Sequence, residues 1–515
     1  MNEEQMHALV DSVAAHAAKV LGHPEAKPTL FALVDWALFK ERPIEECMAH
    51  LEKLKVFGAD PVWACISALL VLGLFRLKPA VPILFDDALF VHCKPAMSSL
   101  MYAAEPNLTT IYPNLRATEL PILDDSGAVS LPVSAPAGAP RRKLRTAVWT
   151  YKLGNYMSSM TAVHPWLMNL ANEDLEVFVL SERRGPQDDV QTRYRQLFGP
   201  NFTDCDDFTD EEFVRFVRSL ELDVFLPLHI TRPALKRRRL ARVHLDVLAD
   251  LNLVGMPDRT LISEGMIDDG YMKGTDRGFI VIPDPPHVYA KLPMIELQDG
   301  NPAEPFCFGV FNRLLKIHDG VFDTWAKLLH ACPNSAILFT SMDTNTLSGF
   351  VMQYELTRRG IPQSRVVLAP RVKHAAHLAR HNVADLMIDT FPLGGGMTAV
   401  DAFHMGVPLV SLTADRRPAV QQTKVLINLL GPEAGVAAQT EEEYLDYAKA
   451  CYAAGKRTKA QREKLRSLAL NSLLFDYQRY TQMIRTSIAV AAGTPSEQMI
   501  YISADYKVHA SELGC

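Results

Sequence analysis

The chain has 515 residues, 48% of them hydrophobic, and a formal net charge of −6. That length exceeds one ordinary core and predicts two or three domains, and the mild acidity gives no electrostatic case for nucleic acid binding. The longest apolar run, around residues 64–75, is interrupted too early to span a bilayer, and the cysteines form no CxxC pair that would indicate a zinc site or a disulfide framework.

The N-terminal stretch MNEEQMHALVDSV is acidic and lacks an apolar h-region, so no signal peptide is expected and a reducing cytoplasm is the expected compartment. Residues 1–112 read as helical. Leu9, Val10, Val13, Ala17 and Val20 recur at helical spacing, as do Leu30, Leu33, Val34, Ala37 and Leu38. No fixed period links these segments, so they read as an all-helical domain rather than a repeat array. Residues 113–145 end in a stretch rich in Pro, Ala, Gly and Ser and read as a linker or exposed loop.

Residues 146–300 alternate buried strands (146–151, 175–180, 222–228) with helices (210–220, 232–249), the pattern of a helix-covered parallel sheet. A connector near 285–305 leads to a second unit, residues 301–490. Its strands are expected at 306–311, 336–340, 366–368, 384–389 and 409–412, and its helices at 320–331, 347–359, 374–381 and 398–405. The pair predicts an α/β architecture of two facing Rossmann-like domains, followed by a C-terminal tail, 491–515. Ligands of open α/β sheets bind at the carboxyl ends of the strands.

Four segments fall at such ends in the second unit. The first is Asn312-Arg313 with Lys316, after the strand FCFGV; Lys316 is suited to neutralise a departing phosphate, or is a surface lysine at a helix start. The second is Ala369-Pro370-Arg371, followed by His374, His377 and Arg380. Backbone groups there suit a flat base edge on which His377 stacks, or His377 is an ordinary helix residue. The third is DTFPLGGGMTAVD, residues 389–401, in which a buried strand turns through Gly394, Gly395 and Gly396 into a helix starting at Met397 and Thr398. Unpaired N–H groups and the positive dipole end make such a turn an anion site, although a tight turn of an α/β domain has the same sequence. The fourth is Asp401, about one turn into that helix and in reach of a ribose hydroxyl. No carboxylate pair sits in a convincing metal loop. In the first unit, His164 and His229 are the candidate catalytic histidines, each with an ordinary structural reading beside it.

FNRLLKIHDGVFDTWAKLLHACPNSAILF and ADLMIDTFPLGGGMTAVDAFHMGVPLVSL resemble glycosyltransferase family 41, which includes O-GlcNAc transferase and the bacterial cytoplasmic N-glycosyltransferases that modify adhesins. The resemblance is good over 305–490, where Leu474-Phe475-Asp476, Tyr480 and Thr481 are similar to the family's closing helix. It implies a GT-B fold and an inverting, metal-independent transfer from a UDP-sugar to a polypeptide, with no cofactor. On matching positions it implies that Lys316 and the turn Gly395-Gly396-Met397-Thr398 hold the diphosphate, with Pro392 and Gly394 also at the donor site, His377 at the uracil and Asp401 at the ribose. Two departures stand out: Gly-Gly-Gly-Met-Thr replaces the polar Asn-Gly-His-Thr-Thr of O-GlcNAc transferase, and Arg313 replaces a glutamine. The FPxG loop and the helical N-terminal domain without repeats are closest to the adhesin-modifying branch. That branch implies UDP-glucose as donor and asparagine as acceptor, on an adhesin or other surface protein before export. The alternatives are an O-linked UDP-GlcNAc transferase acting on Ser or Thr, a non-catalytic UDP-binding or assembly protein, and a UDP-sugar epimerase.

Overall fold

The computed structural model describes residues 142–150, 153, 161–182, 189–228, 238–247, 258–267, 278–312, 316–317, 319–340, 352–353, 355–415, 421–495 and 498–510. The expected helical domain 1–112, nearly all of the linker, and the site candidates His229 and Arg313 lie outside them.

The first unit runs β1 Leu144–Thr150, α1 His164–Leu167, β2 Leu175–Ser181, α2 Asp189–Phe198, β3 Phe202–Asp204, α3 Asp210–Ser219, β4 Val224–Pro227, β5 Val243–Asp246, β6 Arg259–Ser263 and β7 Gly278–Ile282. The second runs β8 Phe306–Val310, α4 Asp319–Ala331, β9 Ser335–Thr340, β10 Val366–Ala369, α5 His374–Ala379, β11 Leu386–Ile388, α6 Met397–His404, β12 Leu409–Leu412, α7 Gln422–Leu430, β13 Gly435–Ala438, α8 Glu441–Ala454 and α9 Lys459–Leu470. The chain then returns to the first unit through α10 Tyr477–Gly493, β14 Ile500–Ile502 and β15 Val508–Ala510.

The first sheet has the order β15-β14-β7-β6-β5-β4-β1-β2-β3 and the second β10-β9-β8-β11-β12-β13. Every pairing is parallel except β14 with β15. Parallel strands are covered on both faces, which is why these segments are almost continuously apolar. Along β1, Val148 enters one buried cluster while Ala147 and Trp149 enter the other. Along β8, Phe306, Phe308 and Val310 pack on one side and Cys307 on the other.

Three expectations change. The boundary drawn at 145 falls inside β1, which begins at Leu144. The helix expected over 232–249 gives way, in its described part, to β5, because Val243, Leu245 and Val247 alternate onto the apolar face of the first sheet. The closing helix and the described part of the tail, through β14 and β15, belong to the first unit. Tyr480, Met483, Ile484, Ile488 and Ala491 of α10 form a helical stripe that packs into the cluster of β1, β2 and β4. Ile500 and Tyr501 of β14 pair with Ile280 and Val281 of β7. The buried Arg259 fastens this return by donating to Gln498 O at 2.5 Å and Thr494 Oγ1 at 2.5 Å. No described helix is long and apolar enough to cross a membrane.

Candidate functional site

In the second sheet β8 and β11 are neighbours, yet the chain proceeds from β8 outward to β9 and β10, and from β11 the other way to β12 and β13. A crevice opens at the carboxyl ends of two strands whose connections diverge. Asn312 follows β8 into that crevice, and Asp389 and Thr390 follow β11.

Asp389 organises the glycine turn. Its buried carboxylate accepts from Asn312 Nδ2 (2.6 Å), Thr390 N (3.0 Å), Gly395 N (2.8 Å) and Ser411 Oγ (2.8 Å). Donors to a buried carboxylate make short, strong bonds, so the turn is folded back onto the strand end. Thr423 Oγ1 holds the other side by donating to Gly395 O at 3.0 Å. Thr398 Oγ1 donates to Asn312 Oδ1 at 2.8 Å, tying the first turn of α6 to β8. Pro392, after a cis peptide bond, is buried rather than at the mouth.

The glycines serve close approach here. A Cβ on Gly394 would lie 2.2 Å from Asp389 Oδ2 and 2.3 Å from Thr423 Oγ1, and one on Gly395 would lie 2.2 Å from Thr398 Oγ1. Gly395 was expected to offer its N–H to an anion; that N–H is bonded to Asp389 instead. The donors that remain are the first-turn N–H groups of α6, beginning with Met397 and Thr398, which have no intrahelical acceptor. Lys316 Nζ donates to Gly394 O at 2.6 Å, so its ammonium lies on the same turn. One cation and one helix N-terminus therefore converge, an arrangement that stabilises negative charge.

The base side lies on α5. His374 Nε2 is 3.3 Å from both carboxylate oxygens of Asp401, and His377 Nε2 is 3.9 Å from Oδ2. The hydrogen bond to Asp401 raises the His374 pKa above the usual histidine value; burial opposes it, and the carboxylate's charge adds to it. Burial lowers that of His377 and takes His381 down to about 3, so both stay neutral. Phe311 packs against both rings, at 5.3 Å from His377 and 4.4 Å from His381. Arg380 follows α5 with Nη1 buried and unpartnered. Ala369, Pro370 and Arg371 leave edge strand β10, with Pro370 and Arg371 exposed; no hydrogen bond or ion pair among the described residues joins Arg371 to the cluster.

In the first unit, His164 is the first residue of α1, and its Nδ1 lies 2.8 Å from the hydroxyl of Tyr194. Burial pushes the Tyr194 phenol far above its usual pKa, so it remains protonated. When Nδ1 carries the proton and donates to Tyr194, Nε2 is left as the basic nitrogen. Thr161 Oγ1 donates to Met397 Sδ at 3.1 Å, so the segment leading into α1 touches the turn directly.

Sequence reasoning missed three contributors. Asp389 was read only as the start of the motif. His374, rather than His377, makes the hydrogen bond to Asp401. Thr340, at the end of β9, keeps a buried hydroxyl without a partner beside Ala369. Only the spacing of His374 and His377, one turn apart on a helix, was a signal in the chain itself. Among the described residues no group of three or more His, Cys, Asp or Glu is arranged to hold a metal ion.

Residues 294–484 match the family model of Glycosyl transferase family 41. Over 191 residues the chain is 29% identical to a probable UDP-N-acetylglucosamine–peptide N-acetylglucosaminyltransferase SPINDLY of Hordeum vulgare, covering 35% of this chain and 19% of that protein. Over 188 residues it is 25% identical to the probable enzyme of the same description, SEC, of Arabidopsis thaliana, covering 36% of this chain and 19% of that one. The chain thus spans about a fifth of the length of the curated relatives it matches. A mutant O-GlcNAc transferase of Thermobaculum terrenum shares the fold, with a TM-score of 0.63 at 21% identity over 90% of this chain and 99% of that one. The two-unit architecture is of the GT-B type, and the likeness to Glycosyl transferase family 41 is confined to residues 294–484.

Proposed function

We propose that this chain, carrying a family 41 glycosyltransferase unit, moves a sugar from a UDP-sugar to a polypeptide side chain in one inverting displacement that requires no metal or cofactor. The observation that carries this reading is the convergence of Lys316 and the N-terminus of α6 on one turn at the β8/β11 crevice. Breaking a sugar–phosphate bond builds negative charge on the departing diphosphate, and preorganised donors aimed at that charge lower the barrier. Asp401 offers an acceptor for ribose hydroxyls, and the neutral His377 offers a flat face to a base. His164, with Nδ1 2.8 Å from the Tyr194 hydroxyl, is the candidate base.

UDP-N-acetylglucosamine is the first donor to test, since both relatives carry it in their names. UDP-glucose with an asparagine acceptor is the second reading. It is supported by the FPxG form of the turn, and its acceptor would be an adhesin or other surface protein modified in the cytoplasm before export.

Calorimetry with UDP and a panel of UDP-sugars, followed by intact-mass analysis of peptide acceptors, tests the proposal. Mass addition to a peptide supports transfer, and fragmentation then distinguishes Ser or Thr from Asn. Binding of UDP with no turnover of any donor, peptide present, would mean a nucleotide-binding protein. Conversion of the donor without an acceptor would mean an epimerase. Saturating EDTA is expected to leave the transfer rate unchanged; a loss restored by a divalent ion overturns the metal-free part.

A further inference from the structure

The three glycines lead straight into Met397, where the resembling O-GlcNAc transferase turn is polar. Met397 and Asp401 are one turn apart on the same face of α6. A nucleotide whose ribose is read by Asp401 and whose diphosphate meets the helix N-terminus runs along that face towards Met397. What hangs from the second phosphate emerges at the Met397 side chain.

That side chain does not move freely. Its sulfur accepts from Thr161 Oγ1 at 3.1 Å. Thr161 is itself anchored, because its carbonyl accepts from Ala290 N at 2.9 Å. The next residue, Ala162, is buried in the core cluster of the second unit, which also holds Ala399 and Val400 of α6. Two residues further on, His164 belongs to the first unit through Tyr194. Met397 therefore stands at the seam where a donor sugar must meet an acceptor.

We infer that Met397 lines the sugar subsite and determines which UDP-sugar is accepted, with Thr161 acting as the positioning residue that fixes its rotamer. A thioether donates no hydrogen bond, so it selects by shape and by contact with the C–H face of a pyranose or with an acetyl group. The weak hydroxyl–sulfur bond removes the freedom that would otherwise let this flexible side chain adapt to any sugar. This inference rests on the UDP-sugar reading of the site.

The test is calorimetry on the full chain with UDP, UDP-glucose and UDP-N-acetylglucosamine, comparing wild type with Met397→Ala, Met397→Leu, Thr161→Val and Thr161→Ser. UDP affinity is expected to stay within about threefold in the Thr161 variants, while the ratio of the two sugar-donor affinities shifts by roughly tenfold in Met397→Ala, the scale of an apolar pocket contact. Thr161→Val shifts the ratio in the same direction by a smaller factor, and Thr161→Ser keeps the wild-type ratio. Met397→Leu, which preserves bulk but loses the sulfur acceptor, should resemble Thr161→Val and carries the test if the alanine variant does not fold. An unchanged ratio in the Met397 variants, with UDP binding intact, overturns the inference alone. Absence of UDP binding by the wild type overturns the donor reading together with it.

Discussion

Gly394→Ala is the sharpest probe of the turn. Gly394 does not need a left-handed backbone, so alanine adds no conformational strain there; it adds one methyl group where there is no room. The new carbon would sit 2.2 Å from Asp389 Oδ2 and 2.3 Å from Thr423 Oγ1, short of ordinary contact by about 1 Å. Asp389 cannot yield, because its two oxygens already accept from Asn312, Thr390, Gly395 and Ser411. The backbone of the turn must move, carrying the carbonyl that holds Lys316 at 2.6 Å. Overpacking of this kind costs about 1–3 kcal/mol of stability, and a misplacement of about 1 Å at reacting groups costs roughly 10²-fold in rate. The assay pairs a thermal melt with UDP calorimetry and initial rates on UDP-sugar and peptide. Gly493→Ala is the control, since nothing lies within 4 Å of its Cβ position and its φ is not positive. A folded Gly394→Ala protein with wild-type UDP affinity and kcat/KM would refute the claim that this turn is packed to register and holds the diphosphate.

Lys316→Ala is expected to lower kcat by about 10²–10³-fold, since the half-buried side chain is bonded to the turn through Gly394 O; near-normal turnover would remove the lysine from the mechanism. Tyr194→Phe should leave UDP affinity unchanged and cost about 1 kcal/mol of stability; a fall in transfer that His164→Ala does not deepen would mark the pair as one unit, whereas unchanged transfer in both would exclude His164 as the base. The raised pKa of His374 makes its pair with Asp401 a pH-dependent contribution. A group whose folded pKa is raised stabilises fully below its unfolded value, about 6.5, and that stability is lost as pH rises through the folded pKa. The stability gap between wild type and Asp401→Asn should therefore be wider below about pH 6.5 than at pH 8; urea melts across that range check it, and a gap that widens with rising pH contradicts the pairing. His381, with its pKa taken down to about 3 by burial, should show an imidazole resonance that does not titrate between about pH 5 and 8, whereas an exposed histidine would.

Much of the second unit was legible because its strands are short apolar runs broken by turn residues, and because the chemistry follows directly after them. Asn312, Lys316, Gly394 and Thr398 follow a strand end within ten residues, and the structure gathers them around one turn. The first unit was harder to read. Its strands β5 and β6 are flanked by charged residues that favour a helix by local propensity, and only pairing with neighbours decides for a strand. The role of α10 was legible as a helix but not as a possession of the first sheet, since its apolar stripe does not specify which of two apolar surfaces it covers.

From the sequence alone came the two α/β units, the crevice-facing motifs and the family resemblance, because periodicity and glycine content are local properties of the chain. Which N–H groups stay open to an anion was decided only by tertiary structure. Asp389 takes the Gly395 N–H, and the α6 N-terminus is left to do the work assigned to the whole turn. The same holds for His374 over His377 at Asp401, and for Thr161 at Met397, 236 residues apart in the chain. Hydrogen bonds are settled at a few tenths of an ångström, a scale set by how sheets and helices pack.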